Sequence, residues 1–94
     1  MHFNWLTNLP KDQSFSRLAI ELEYELRPKI TRYLLRKFEQ DFGDDFSSFY
    51  FDVHVNTQWV RIGRSTPERF RMRLAQDFDA EINGSQQHLH IAYL

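Results

Sequence analysis

The spacing of apolar residues changes in the middle of this chain, and that change constrains the fold more than any other feature. Between Ser14 and Phe42 apolar side chains recur at steps of three and four, the period of an amphipathic helix. From Phe49 onwards they alternate with polar side chains, the period of a strand with one buried face. A helical half followed by a strand half predicts an α+β fold, with a long helix packed on one face of a sheet.

The predicted helix begins at Ser14, a suitable N-cap, and ends before Gly43. Pro28 lies inside it, where a proline costs about 3 kcal/mol. The apolar stripe continues on both sides of Pro28, so either one helix kinks there or a second helix begins with Pro28 in its first turn. Residues 1–11 are expected to form a short strand or an arm on the core.

Residues 49–62 predict a β-hairpin. If Asn56 and Thr57 form a two-residue turn, the facing partners follow by counting outward. This register pairs Val53 with Val60 and Phe51 with Ile62 on one face, and His54 with Trp59 and Asp52 with Arg61 on the other. Apolar residues face apolar ones and an acid faces a base, which favours this register. Asn-Thr is a mediocre turn pair, so a longer loop with a bulge is the alternative.

Residues 69–83 also alternate, and they run into Asn83-Gly84, the strongest short-range hairpin signal. A register about this pair sorts the remaining residues into one apolar face and one face with Asp79 opposite His88 and Asp77 opposite His90. We therefore predict two further strands. With the first hairpin they complete a mostly antiparallel four-stranded sheet that packs on the long or Pro28-kinked helix.

The competing interpretation makes residues 67–82 a helix. The run from Ser65 to Glu68 is a good helix start, and an apolar series at steps of four follows it: Phe70, Leu74, Phe78 and Ile82. This alternative gives the order α-β-β-α-β. The choice also decides whether three nearby arginines line one strand face or are spread around a helix.

Bulk composition limits the function classes. The 94 residues are expected to form a single α+β domain, 1–94, with a net charge of only −1. The whole-molecule field therefore does not attract nucleic acid or a membrane. The absence of cysteine excludes disulfides, thiolate zinc sites and a cysteine nucleophile. We expect a cytoplasmic protein without a cofactor and without a membrane-spanning segment.

One candidate surface emerges from the strand interpretation. The sheet face that points away from the helix would present these candidate partner-binding residues: Tyr50, His54, Trp59, Arg61, Arg69, Arg71 and Arg73. Arginine and large aromatic residues are enriched at the energetic centres of protein interfaces. The leading hypothesis is a non-catalytic inhibitor or regulator that engages an acidic partner surface, by analogy with small inhibitors of phage and mobile elements.

Two other hypotheses use the same strands. Aromatic rings and guanidinium groups on a sheet also suit a single-stranded nucleic-acid-binding module. Alternatively, Asp77, Asp79, His88 and His90 could hold zinc or manganese in a metal-dependent hydrolase or nuclease. The chain contains no phosphate-binding glycine loop, no nucleophile elbow and no HExxH motif, so we do not expect an enzyme.

Overall fold

The computed structural model describes residues 1–8, 10–42 and 46–84, and it includes the side chains of these residues except those of 39–42. Within these ranges the chain forms three strands and three helices. In chain order they are β1 (His2–Leu6), α1 (Gln13–Phe42), β2 (Tyr50–His54), β3 (Trp59–Ile62), α2 (Glu68–Leu74) and a short helix α3 at residues 78–84.

The sheet has the order β1-β2-β3 and is mixed. Strand β1 pairs parallel with β2, and β3 pairs antiparallel with β2. A parallel pair needs a long crossover, and α1 provides it. The predicted α+β class is confirmed. The four-stranded, mostly antiparallel sheet is not, because the sheet of the described residues has three strands and one of them is the N-terminal segment.

Helix α1 is continuous across Pro28, and its non-helical backbone lies at Phe38 (φ −126°, ψ 20°). The predicted kink at Pro28 is therefore not confirmed. Leu26 and Ile30 on either side of the proline are both buried in the same core, which holds the two halves in line. At the start of the helix the Asp12 carboxylate accepts a hydrogen bond from the Phe15 amide (3.1 Å), so Asp12 makes the capping contact in place of Ser14.

The β2–β3 hairpin has the predicted register. Its four pairs are Phe51–Ile62, Asp52–Arg61, Val53–Val60 and His54–Trp59. Turn residues 55–58 join the strands, and Gln58 adopts a positive φ of 59°. The buried members Phe51, Val53 and Val60 share one face. The rule that matches apolar with apolar and acid with base therefore predicted this hairpin correctly.

The strand predicted for residues 69–82 is wrong, because this segment is helical. Phe70, Leu74, Phe78 and Ile82 are buried at steps of four, whereas Met72 is 67% exposed. The alternative of a helix over 67–82 is closer, although the segment forms two short helices, α2 and α3, with a turn at residues 75–77. The strand predicted after Gly84 lies outside the described residues.

All three helices bury side chains against the same face of the sheet. One cluster contains Leu22, Leu26, Ile30 and Leu34 from α1, Phe51, Val53 and Val60 from the sheet, and Phe70, Leu74, Phe78 and Ile82 from α2 and α3. Phe49, which precedes β2, is fully buried and stacks on Phe70 at 5.2 Å between ring centroids. The core therefore lies entirely on one side of the sheet.

Candidate functional site

The other side of the sheet is left without a helical layer among the described residues. We call it the open sheet face. It consists of the side chains that alternate with the buried positions of the three strands: His2, Asn4, Leu6, Tyr50, Asp52, His54, Trp59 and Arg61. Each of these side chains is exposed or half-buried. They lie on this face because side chains alternate along each strand, with one set directed to the core and the other to the open sheet face.

Aromatic rings are prominent on the open sheet face. His2 and Tyr50 are register partners, and their rings stack at 4.5 Å with 17° between the planes. The His2 Nε2 also lies 3.1 Å from the Ser47 carbonyl oxygen, which helps to fix the ring. Trp59 pairs with His54 across the hairpin and remains half-buried. Rings that are fixed in place and partly exposed can bury apolar area against a partner at low entropic cost.

The open sheet face carries one acidic and one basic side chain, Asp52 and Arg61, and the two differ in their contacts. The Asn4 Nδ2 donates a hydrogen bond to the Asp52 carboxylate (3.2 Å). Arg61 is the register partner of Asp52, yet the two side chains do not form an ion pair. Within the described part of the chain, the exposed guanidinium of Arg61 has no carboxylate within salt-bridge distance. It can therefore accept a carboxylate from outside.

The three other predicted arginines do not belong to this face, because they lie on helix α2 instead of a strand. Arg73 donates a hydrogen bond to the Lys37 carbonyl (2.9 Å) and lies 4.3 Å from the Phe38 ring, next to the non-helical turn of α1. Arg69 lies over the ring of its neighbour Phe70. Arg71 is half-buried, and no described residue forms a hydrogen bond with its Nε. The predicted row of arginines is thus not formed, and Arg73 has a structural role.

Asp77 contacts helix α1. It lies in the turn before α3 and accepts hydrogen bonds from Lys37 Nζ (2.7 Å) and from the Tyr33 hydroxyl (2.5 Å). These bonds, the one from Lys37 first, lower the pKa of the Asp77 carboxyl below its ordinary value of 3.8. Burial, followed by the hydrogen bond to Asp77, raises the pKa of the Tyr33 hydroxyl. This carboxylate is therefore already engaged by two donors.

The predicted metal site loses its geometric basis, because Asp77 and Asp79 do not alternate along a strand. Asp79 accepts a hydrogen bond from the Asn83 side chain (2.9 Å). His88 and His90 lie outside the described residues. Among the residues that are described, no three side chains are arranged to hold a metal ion.

Asn83 has a role that the sequence pattern concealed. Its Oδ1 accepts from the Val60 amide (3.0 Å), and its Nδ2 donates to the Val60 carbonyl (2.8 Å). The buried side chain thereby satisfies both main-chain groups of Val60, as a neighbouring strand would. The only sequence signal was an asparagine before a glycine, which is typical of a turn. The outer edge of β3 is thus blocked at its centre.

Comparisons of the chain with protein-family models, with curated proteins and with solved structures found no match. In the described part of the chain, none of the helices combines the length and the apolar character that crossing a bilayer requires. The open sheet face is therefore the feature from which a function can be inferred.

Proposed function

We propose that this chain is a non-catalytic protein-binding domain that engages an acidic site on a partner protein through the open sheet face, and so inhibits or regulates that partner. One observation carries the proposal. All three helices pack on one side of a three-stranded sheet, while the opposite side presents partly exposed aromatic rings beside Arg61, which has no ion-pair partner among the described residues.

The contacts expected at this surface follow from its chemistry. Trp59 and Tyr50 provide the apolar anchors, and both retain a polar group that can bond at the rim. Arg61 provides a bidentate donor for a carboxylate of the partner. Tryptophan, tyrosine and arginine are the residue types that most often dominate the binding energy of an interface.

A protein partner is favoured over single-stranded nucleic acid because the open sheet face carries too few basic side chains to bind a phosphate backbone. Tracking a phosphate backbone needs several lysine or arginine contacts. Among the described residues of the open sheet face, Arg61 is the only lysine or arginine, and Asp52 lies beside it. The arginines that would have completed a phosphate track lie on α2.

The test is affinity capture from cells of the source organism, with nuclease present throughout. The bait is the native chain or a triple variant, Tyr50→Ser, Trp59→Ser and Arg61→Ser. The control bait carries Met72→Ser and Arg17→Ser, which remove an exposed apolar and an exposed basic side chain from the helices. All three baits are first shown by circular dichroism to be folded.

We expect the native and control baits to retain the same protein in stoichiometric amount, and the triple variant to lose it. If the triple variant retained the same protein equally well, the binding surface would have to lie elsewhere on the chain. Loss of the captured species on nuclease treatment would support the nucleic-acid alternative.

A further inference from the structure

The outer edge of β1 has main-chain groups that no described residue satisfies. The His2 amide donates to Phe49 O (2.9 Å) and the Val55 amide donates to Leu6 O (2.9 Å), which fixes the direction of the alternating bonds. His2, Asn4 and Leu6 therefore bond inward to β2, while the amide and carbonyl groups of Phe3 and Trp5 point away from the sheet. Phe3 and Trp5 make no main-chain hydrogen bond to another described element.

The two edges of the sheet differ in how they are protected. The centre of β3 is blocked by the Asn83 side chain. Strand β1, with the sequence His-Phe-Asn-Trp-Leu, contains no proline, lysine or acidic residue, the usual devices that prevent edge-to-edge pairing. An unprotected edge of this kind is a template for another strand.

We propose that β1 pairs antiparallel with β1 of a second copy of this chain, about a two-fold axis at Asn4. A two-fold interface must be self-complementary, and this register is. In this register the outward-pointing amide and carbonyl groups of Phe3 form hydrogen bonds with those of Trp5 in the other copy, and His2 lies opposite Leu6. The two three-stranded sheets then form one sheet of six strands. Asn4 faces its own counterpart at the axis.

Incomplete burial along the same edge supports the pairing. Phe51 and Val53 of β2 are fully buried, whereas their register partners Phe3 and Trp5 in β1 are only half-buried. A second copy of β1 would place the apolar rings of the two strands side by side, because Phe3 of each copy faces Trp5 of the other.

Helix α1 presents exposed apolar side chains on the side nearest β1. Arg27 of this helix lies 5.0 Å from the Phe3 ring, which identifies that side. Tyr24 and Ile20 precede Arg27 by three and seven residues, so they lie close to it on the helix surface. They are 84% and 63% exposed. In the proposed dimer the two α1 helices approach across the axis, and these side chains cover the gap between them.

The first test is sedimentation equilibrium of the full chain across micromolar to submillimolar concentrations. The native protein is expected to show a monomer–dimer equilibrium. Asn4→Lys should leave the monomer folded, because the new ammonium faces Asp52, but it places like charges directly opposite at the axis. We expect the dimer dissociation constant to rise by about tenfold or more. Asn8→Lys, just beyond β1, adds the same charge and should leave the constant unchanged.

The second test is amide hydrogen exchange, resolved by residue, at low and high protein concentration. The Phe3 and Trp5 amides should be protected only in the dimer, whereas the Asn4 amide is protected in both states. A chain that is monomeric throughout the range would overturn the proposal, as would a dimer insensitive to Asn4→Lys. Concentration-independent protection of Phe3 and Trp5 would also overturn it, since an intrachain segment would then occupy the edge. These outcomes do not depend on the partner of the open sheet face.

Discussion

Two buried polar side chains complete the hydrogen bonding of the sheet from outside it. Asn83 satisfies the amide and the carbonyl of Val60, and the Thr66 hydroxyl accepts from the Tyr50 amide (2.8 Å) and donates to the Tyr50 carbonyl (2.9 Å). Both residues are almost fully buried. A buried main-chain group without a partner is costly, so these side chains allow the sheet to end where it does.

Asn83→Ala should lower the free energy of unfolding by about 2 to 4 kcal/mol, since each buried group left without its partner costs about 1–3 kcal/mol. Urea denaturation measures the change. Gln76→Ala, an exposed amide in the turn before α3, is the control and should stay within about 0.5 kcal/mol of the native value. A similarly small change for Asn83→Ala would show that its bonds to Val60 do not stabilise the fold.

Lys37→Met should lower the free energy of unfolding mainly at pH values above the folded-state pKa of Asp77. The folded-state pKa of Asp77 is below its ordinary value of 3.8, so its stabilisation is complete above that pH and is lost as the pH falls through the folded-state pKa. The Asp77 side chain is 45% exposed, so solvent screening limits the effect to about 1 kcal/mol or less.

Urea denaturation at a series of acidic pH values checks this prediction. The difference between native and Lys37→Met should narrow below pH 3.8. Arg36→Met, which removes an exposed ion pair with Glu81, is the matched control. A difference between native and Lys37→Met that stays constant with pH would mean that the ion pair does not control the titration of Asp77.

Among the elements, the hairpin was predictable and the segment after it was not. The β2–β3 register was identified because its cross-strand pairs are consistent on both faces, and a shift by one residue would reverse every side chain. Residues 69–83 carry two periods at once, since Phe70, Leu74, Phe78 and Ile82 satisfy both alternation and steps of four. Met72 and Ala80 distinguish the two interpretations, because a strand would bury both and both are exposed here. Their burial depends on tertiary packing.

Met72 therefore provides a direct test of the helical assignment. Because this side chain is 67% exposed on α2, Met72→Ala should change the free energy of unfolding by no more than about 0.5 kcal/mol. Met72→Pro, in the interior of the helix, should cost about 3 kcal/mol. Thermal and urea denaturation measure both variants. A loss of about 2 kcal/mol or more for Met72→Ala would instead indicate the core position that the strand interpretation requires.

At the scale of the whole molecule, buried phenylalanines join every layer of the core. Phe49 contacts the rings of Phe38 from α1 (5.3 Å), Phe51 from β2 (6.5 Å) and Phe70 from α2 (5.2 Å). The chain has nine phenylalanines, and large aromatic side chains contribute much of the buried apolar area in a small domain. Their arrangement around Phe49 was not predictable, because Phe70 lies on helix α2, where a strand was predicted.

Phe49→Ala should cost about 3 to 5 kcal/mol, the range for emptying a phenylalanine site in a core. That is a large share of the stability of a domain of this size. Phe15→Ala, at a half-buried position, should cost clearly less, and urea denaturation compares the two. Equal losses would contradict the central position of Phe49 in the core.

The candidate site was predictable only in part, because some of its residues are brought together by long-range strand pairing. Tyr50, His54, Trp59 and Arg61 lie together on the open sheet face because they belong to the hairpin whose register the sequence determines. His2 and Asn4 were not assigned to this face, since the parallel pairing of β1 with β2 spans more than forty residues of chain and leaves no local signal. Burial and pairing at that distance are properties of the folded molecule.

Photo-crosslinking from the open sheet face tests the central functional claim most directly. Benzoylphenylalanine is placed at position 59 in one sample and at position 72 in another, and nuclease-treated cell extract is irradiated with each. We expect one discrete protein adduct from position 59, which Arg61→Ser weakens, and no corresponding adduct from position 72 on α2. The same adduct from both positions, or an adduct from position 72 alone, would contradict it.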